Sequence, residues 1–209
     1  MSIPFRGALQ AAQRWASHAK ALHKRDPRIA SVDAILAPLQ RPPSTESHSL
    51  DLGCGGSPRN PFGASHVWGV EIDANASPTI RRCDLATEPL PFASQSVQYC
   101  TAFDVLEHIP RVLYTAEGRR QPFIALMNEI HRVLAPGGYF LHQTPAYPAK
   151  EAFQDPTHVN VITEDTIPAY FCGPEPWART HGYGFTGRFA LVRQAWLHDR
   201  WLVGLLQAL

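Results

Sequence analysis

The chain of 209 residues carries 19 Lys and Arg against 18 Asp and Glu, and 44% of it is hydrophobic. That length and apolar content suit one globular domain with appendages and exclude disordered, collagen-like and coiled-coil chains. The near-neutral charge argues against a broad nucleic-acid-binding face, so a nucleic acid partner is not expected.

In chain order, the first 30 residues hold six bases (Arg6, Arg14, Lys20, Lys24, Arg25, Arg28) and one acid, Asp26. Phe5, Leu9, Ala12, Trp15, Ala19 and Leu22 recur there at three- and four-residue steps, which predicts an amphipathic helix docked on the domain. An Arg- and Ala-rich, acid-poor start is also the composition of a mitochondrial transit peptide. Pro42–Pro43–Ser44–Thr45 reads as a linker, so residues 1–43 are expected as basic helix and linker and residues 44–209 as the domain proper. No secretory apolar core is visible, nor a run of about 18 apolar residues to span a bilayer, and the chain is expected to be cytoplasmic. Nothing in it sets an oligomeric state.

From Ser49 onward, short apolar runs alternate with helical stretches. Strands are predicted at 49–52, 67–72, 79–83, 97–102 and 139–143. Phe123, Met127, Ile130 and Leu134 predict a helix that Pro136–Gly137–Gly138 stops. His131 on that helix is expected at the surface. The alternation implies an α/β fold with a mostly parallel sheet and crossover helices on both faces. Thr163 before Glu164 and Asp165 predicts a capped helix over 164–171. Residues 188–196 suit a late strand and 201–209 an apolar terminal helix or tail. An insert at about 145–185 should cover the substrate side. Cys54, Cys83, Cys100 and Cys172 form no C-x-x-C pair and are expected as buried reduced thiols.

The most informative segment is Leu50–Asp51–Leu52–Gly53–Cys54–Gly55–Gly56. Glycines directly after a strand turn the chain tightly and let a ligand approach the backbone. Glu71 stands twenty residues beyond Asp51 at the end of the next strand, where a carboxylate can accept both hydroxyls of a ribose. A dinucleotide fingerprint needs a third glycine at position 58, which is Pro58. The segment Ser57–Pro58–Arg59–Asn60–Pro61 is also poor material for the helix that would face a pyrophosphate. A nucleoside cofactor without phosphate fits better than a nicotinamide dinucleotide, and the first crossover helix should be stunted.

Leu50–Asp51–Leu52–Gly53–Cys54–Gly55 resembles the first motif of class I S-adenosylmethionine-dependent methyltransferases, and Val70–Glu71–Ile72–Asp73 resembles their second strand. Cys83–Asp84–Leu85, Phe103–Asp104–Val105–Leu106–Glu107–His108–Ile109 and Asn128–Glu129–Ile130–His131–Arg132–Val133–Leu134–Ala135–Pro136–Gly137–Gly138 continue the likeness in order over about residues 49–145. The resemblance implies a Rossmann-like, seven-stranded sheet and S-adenosylmethionine as cofactor. It places Gly53 and Gly55 beside the methionine part, Asp51 at its amino group and Glu71 on the ribose. Asp84 and the Leu85 amide would meet the adenine, and Phe103 joins this cofactor-binding set. The cofactor's cationic groups suit such acidic partners.

Asp104, Glu107 and His108 follow the fourth strand at i, i+3 and i+4, on one helical face at the carboxyl edge. His158 follows the fifth strand over the same edge. His108 or His158, with Glu107, could remove a hydroxyl proton. Alternatively Asp104, Glu107, His108 and His158 could hold a divalent cation that acidifies the hydroxyl. The set is similar to that of metal-dependent small-RNA 2′-O-methyltransferases, and a related Glu-His occurs in ubiquinone-pathway O-methyltransferases, which implies oxygen as acceptor. The RNA enzymes' further histidines and RNA-binding regions are missing here. The expected partner is therefore a small-molecule methyl acceptor. A catalytically silent S-adenosylmethionine-binding regulator and an RNA 2′-O-methyltransferase are the alternatives. Tyr147 and Phe153 are candidates for a lid.

Overall fold

A computed structural model describes residues 26–39, 46–73 and 77–209, so the amphipathic helix expected before residue 23 and the linker at 42–45 lie outside the described residues. The strands are β1 (Arg28–Ile29), β2 (His48–Leu52), β3 (His66–Glu71), β4 (Ile80–Arg82), β5 (Val97–Phe103), β6 (Leu113–Thr115), β7 (Gly118–Arg120), β8 (Leu134–Pro145), β9 (Phe189–Leu197) and β10 (Trp201–Ala208). The helices are α1 (Asp33–Leu36), α2 (Pro122–Val133), α3 (Glu151–Gln154), α4 (Thr166–Phe171) and α5 (Trp177–Thr180). Among the described residues, eight strands form one sheet in the order β1-β9-β10-β8-β5-β2-β3-β4. Seven are the mostly parallel sheet expected from the sequence. The eighth, two-residue β1, extends the edge by pairing parallel to β9.

The order reverses at β2, which has β3 on one side and β5 on the other, both parallel. A crevice for ligands opens at the carboxyl ends on either side of such a switch point. β10 runs antiparallel between β8 and β9. The expectation of a terminal helix or tail at 201–209 fails here. Leu202 to Leu206 are buried without interruption, the pattern of a strand covered on both faces, which apolarity alone does not separate from a buried helix.

One face of the sheet packs against α2, whose Phe123, Leu126, Met127, Ile130 and Val133 are buried. Pro122 at the first position supplies a helical φ without losing a needed N–H. The helix stops at Val133, before the glycines, because Leu134 already pairs with Val97. Residues 135–138 then bulge out before Tyr139 pairs with Tyr99. A Cβ on Gly138 would stand 2.8 Å from the Ala135 carbonyl oxygen and 2.9 Å from that of Gln98. His131 is half-buried against Phe189, with ring centroids 5.2 Å apart, and not at the surface.

The opposite face is covered by Ile35 and Leu36 of α1 and by Phe62. Phe62 belongs to the first crossover, residues 53–65, which contains no helix. Its ring stacks on Tyr99 at 4.3 Å and replaces the helix with one buried aromatic plug. The Asn60 side chain holds this crossover, accepting from Ala64 N at 2.8 Å and donating to its carbonyl at 2.9 Å.

The insert carries α3, α4 and α5. α4 starts at Thr166 and not at Glu164, because Thr163 does not cap it: the Thr166 hydroxyl takes the Thr163 amide at 3.0 Å. The hairpin β6–β7 had no signal in the sequence reading, since its three-residue strands are too short for a period to show. No helix among the described residues is long and apolar enough to cross a membrane.

Candidate functional site

The glycine turn leaves β2 with Gly53 at φ +61° and Gly55 at φ +59°, conformations that glycine adopts without strain. A Cβ on Gly53 would lie 2.6 Å from Val105 Cγ2, so the turn is pressed against the segment after β5. In front of Gly55 the space is open, since a Cβ there meets nothing within 4 Å. Glu71, at the end of β3, reaches the turn: its Oε2 accepts from Gly55 N at 2.7 Å and its Oε1 from Ile72 N at 2.9 Å. A carboxylate and an open backbone turn side by side fit the ribose and aminoacyl parts of a phosphate-free nucleoside. Pro58 packs behind them, where a Cβ on Gly69 would meet its ring at 2.8 Å.

Asp51 lies beneath this turn and not at its open face. It is 1% exposed, with Oδ2 taken by Arg59 N at 2.8 Å and Oδ1 by Thr101 Oγ1 at 2.6 Å. Burial raises its carboxyl above the usual range against those two hydrogen bonds. Cys54, in the turn itself, is a half-buried free thiol pushed up to about 11, first by burial and then by the charges of Asp51 and Glu71. The other cysteines are also unpaired; Cys83 and Cys100 are fully buried and Cys172 partly so. Asp84 organises the turn after β4, accepting from Ala86 N at 2.9 Å and Thr87 Oγ1 at 2.7 Å. Leu85 packs on the core beside it. Phe103 closes β5, with the Arg59 guanidinium 4.7 Å over its ring.

Beyond β5 the chain makes a 3₁₀ turn over Leu106–His108 rather than the α-helical face expected. Asp104 takes φ +54°, and its Oδ2 accepts from Gln143 Nε2 at 3.1 Å. Among the described residues, the side-chain groups that converge are Glu107, His108 and His158, their ligand atoms all within 4.8 Å of one another. Asp104 is not part of that set.

Glu107 is 1% exposed; Oε2 accepts from Thr144 Oγ1 at 2.8 Å and Oε1 has no hydrogen-bond partner among the described residues. Burial pushes its carboxyl up to about 7, with the charges of Asp104 and Asp155 adding to it. The two imidazoles are oriented by acceptors. Thr157 Oγ1 donates to Asp155 Oδ1 at 2.6 Å, so at 3.1 Å it can only accept from His108 Nδ1. The Thr157 carbonyl does the same at 3.3 Å. His158 Nδ1 faces the Ala152 carbonyl at 3.4 Å. In both rings the acceptors face Nδ1, so a neutral ring would carry its proton there and leave Nε2 as the acceptor.

Asp155 and Thr157 were missed in the sequence, although Asp155-x-Thr157 is the spacing of a local side-chain-to-backbone turn. The Asp155 carboxylate also accepts from Thr157 N at 2.8 Å. Asn160 fastens this loop to the β5 side. Its backbone N donates to the Glu107 carbonyl at 2.9 Å and its Nδ2 to that of Leu106 at 3.1 Å. Tyr147 and Phe153 pack edge-to-face at 6.2 Å, with Phe153 half-exposed beside this loop.

The strand order, the glycine turn with its acidic neighbour and the polar cluster beyond β5 define a class I, Rossmann-like S-adenosylmethionine-dependent methyltransferase fold. A family model described as a methyltransferase domain matches residues 21–171, and the chain belongs to that family. S-adenosylmethionine is the cofactor that membership implies. No curated protein matches the sequence significantly.

Among solved structures, an S-adenosylmethionine-dependent methyltransferase from Mesorhizobium loti is similar at 18% identity and TM-score 0.51, covering 84% of this chain and 96% of that one. A chain from the complex of the Haloferax volcanii Trm112 methyltransferase activator with a methyltransferase gives 13% identity and TM-score 0.54, over 84% and 88% of the two chains. The [4+2]-cyclase SpnF gives 12% identity and TM-score 0.51, over 95% and 81%. The fold thus also carries a protein named for other chemistry, and the reaction has to be argued from the site.

Proposed function

We propose that this protein transfers a methyl group from S-adenosylmethionine to a hydroxyl oxygen of a small molecule. One observation carries the reading: three side chains that can accept a proton, Glu107, His108 and His158, converge, and Glu107 stands two residues beyond the Val105 on which the glycine turn is pressed. When bound, S-adenosylmethionine supplies an electrophilic methyl on a sulfonium.

Gly53 and Gly55 would let its methionine part lie on the backbone, Glu71 would hold the ribose, and Asp84 and Leu85 would flank the adenine beyond β4. Phe103 at the end of β5, with Arg59 over its ring, would flank the same cofactor. Asp51 serves by holding the turn through Arg59 N. Glu107 takes the acceptor's hydroxyl proton, with His108 and His158 orienting the oxygen and able to share that proton. A base near 7 is half ionised at neutral pH, where both its availability and its basicity are useful.

Methyl transfer from methyl-labelled S-adenosylmethionine to a panel of phenols and aliphatic alcohols tests this. The rate should rise with pH through about 7, because the base acts only once deprotonated. Binding of the cofactor with no transfer to any hydroxyl would favour the silent regulator. The same three groups have the donor chemistry of a divalent-cation site. Activity unchanged by a chelator supports proton removal without a cation; loss restored by Mg²⁺ or Mn²⁺ reassigns the cluster to the cation.

A further inference from the structure

The hairpin β6–β7, the start of α2 and the helical insert surround a cavity of about 500 Å³, in the range that takes a small organic ligand. Among the described residues, its lining has two guanidiniums, Arg111 and Arg119, and no acidic side chain. Two of the five N–H donors of Arg111 are used, Nε on Asn160 Oδ1 at 2.7 Å and Nη2 on the Val161 carbonyl. Arg119 Nη2 donates to Gln121 Oε1 at 2.9 Å, with the amide oriented so that its nitrogen donates to the Tyr183 carbonyl at 2.8 Å. Glu117 in the same hairpin pairs with Arg120 and leaves Arg119 to the cavity. The first turn of twelve-residue α2 adds its positive end to the same wall.

Much of the remaining lining is aromatic. The Tyr170 and Tyr183 rings lie within 12° of parallel with centroids 6.4 Å apart, and Phe123 meets Phe171 edge-on at 5.4 Å. A flat apolar body extends such a stack, while two guanidiniums in one lining call for an anion. The remaining edge of Arg111 suits the two oxygens of a carboxylate, and among the described residues no glycine loop or lysine lines the cavity as a phosphate would favour.

We propose that this cavity binds a small aromatic carboxylate, with its ring on the Tyr170–Tyr183 wall and its carboxylate on Arg111 and Arg119. Arg111 holds Asn160, whose backbone N donates to the Glu107 carbonyl, so two hydrogen bonds link the cavity lining to the segment that carries the cluster. Its identity as the methyl acceptor rests on the transfer reading above; its binding does not.

Fluorescence titration without cofactor tests it, using 6-hydroxy-2-naphthoate, its neutral methyl ester and 2-naphthyl phosphate as probes. The carboxylate should bind about tenfold or more tighter than the ester, and Arg119→Gln should remove that preference. The variant's S-adenosylmethionine affinity and melting temperature should match the parent's, since Arg119 touches neither the turn nor the core. Equal binding of acid and ester, an unchanged preference in Arg119→Gln, tighter binding of the phosphate, or no saturable binding at millimolar probe would overturn the proposal. Naphthoate binding without S-adenosylmethionine binding would count against the transfer reading alone.

Discussion

Replacing Glu107 by Gln is expected to slow methyl transfer by about 10²-fold or more, the usual contribution of a positioned base, while making the protein more stable at pH 8. The two effects have one cause. Glu107 is buried with one oxygen lacking a partner, and its carboxyl titrates at about 7 in the folded chain against 4.5 as the ordinary value. The folded protein therefore holds a proton that the unfolded chain has released, and stability falls as pH rises from about 4.5 through 7. Above that window the charge costs roughly 3 kcal/mol, which a neutral amide of the same shape avoids.

His142 works in the opposite sense. It is fully buried and its imidazole is pushed down to about 4 from 6.5, so the folded chain refuses a proton that the unfolded chain accepts. Its contribution is lost as pH falls from 6.5 to about 4. Between about 4.5 and 6.5 the two slopes oppose each other. Glu107→Gln removes the carboxyl slope, so the variant should lose more stability on acidification in that interval than the parent does. Thermal melts from pH 4 to pH 8 read both effects. A variant less stable than the parent at pH 8, or one with full activity, would refute the assignment.

The second large effect is expected at Gly53. An alanine there meets both a left-handed φ of +61° and Val105 Cγ2 at 2.6 Å, whereas Gly55, at φ +59°, has open space before it. Gly53→Ala should weaken S-adenosylmethionine binding by tenfold or more and cost about 2–3 kcal/mol of stability, strain and overlap together. Gly55→Ala should carry only the conformational part, about 1–2 kcal/mol. Adding Val105→Ala to Gly53→Ala relieves the overlap but not the strain, so the double variant should regain part of the stability. Equal losses at the two glycines would show that Val105 does not press on the turn.

The sheet and the glycine turn beside Glu71 were legible because their signals are local. Glycines after β2 and a carboxylate twenty residues on depend only on chain spacing and on the adjacency of parallel strands. The tighter geometry of the reaction edge was not legible. Asp104, Glu107 and His108 share a face only if the chain is α-helical there, but Asp104 turns through a positive φ and a 3₁₀ turn follows, which removes Asp104 from the cluster.

His158 reaches that cluster because Asn160 and Arg111 pin its loop some fifty residues away in sequence, a pairing no periodicity encodes. The same holds for β10. Its apolar run reads equally well as a buried helix until β8 and β9 are in place on both sides. Asp51 carried a cofactor motif and yet faces inward, because Arg59 and Thr101 take both its oxygens.

The central claim is that the glycine turn and Glu71 bind S-adenosylmethionine. Calorimetric titration of the parent and of Glu71→Ala with S-adenosylmethionine, and of the parent with NAD, tests it directly. One saturable S-adenosylmethionine site is expected in the parent, weakened by about tenfold or more in Glu71→Ala through loss of a carboxylate hydrogen-bonded to ribose, with no NAD binding. NAD binding without S-adenosylmethionine binding, or an affinity untouched by the Glu71 substitution, would contradict it.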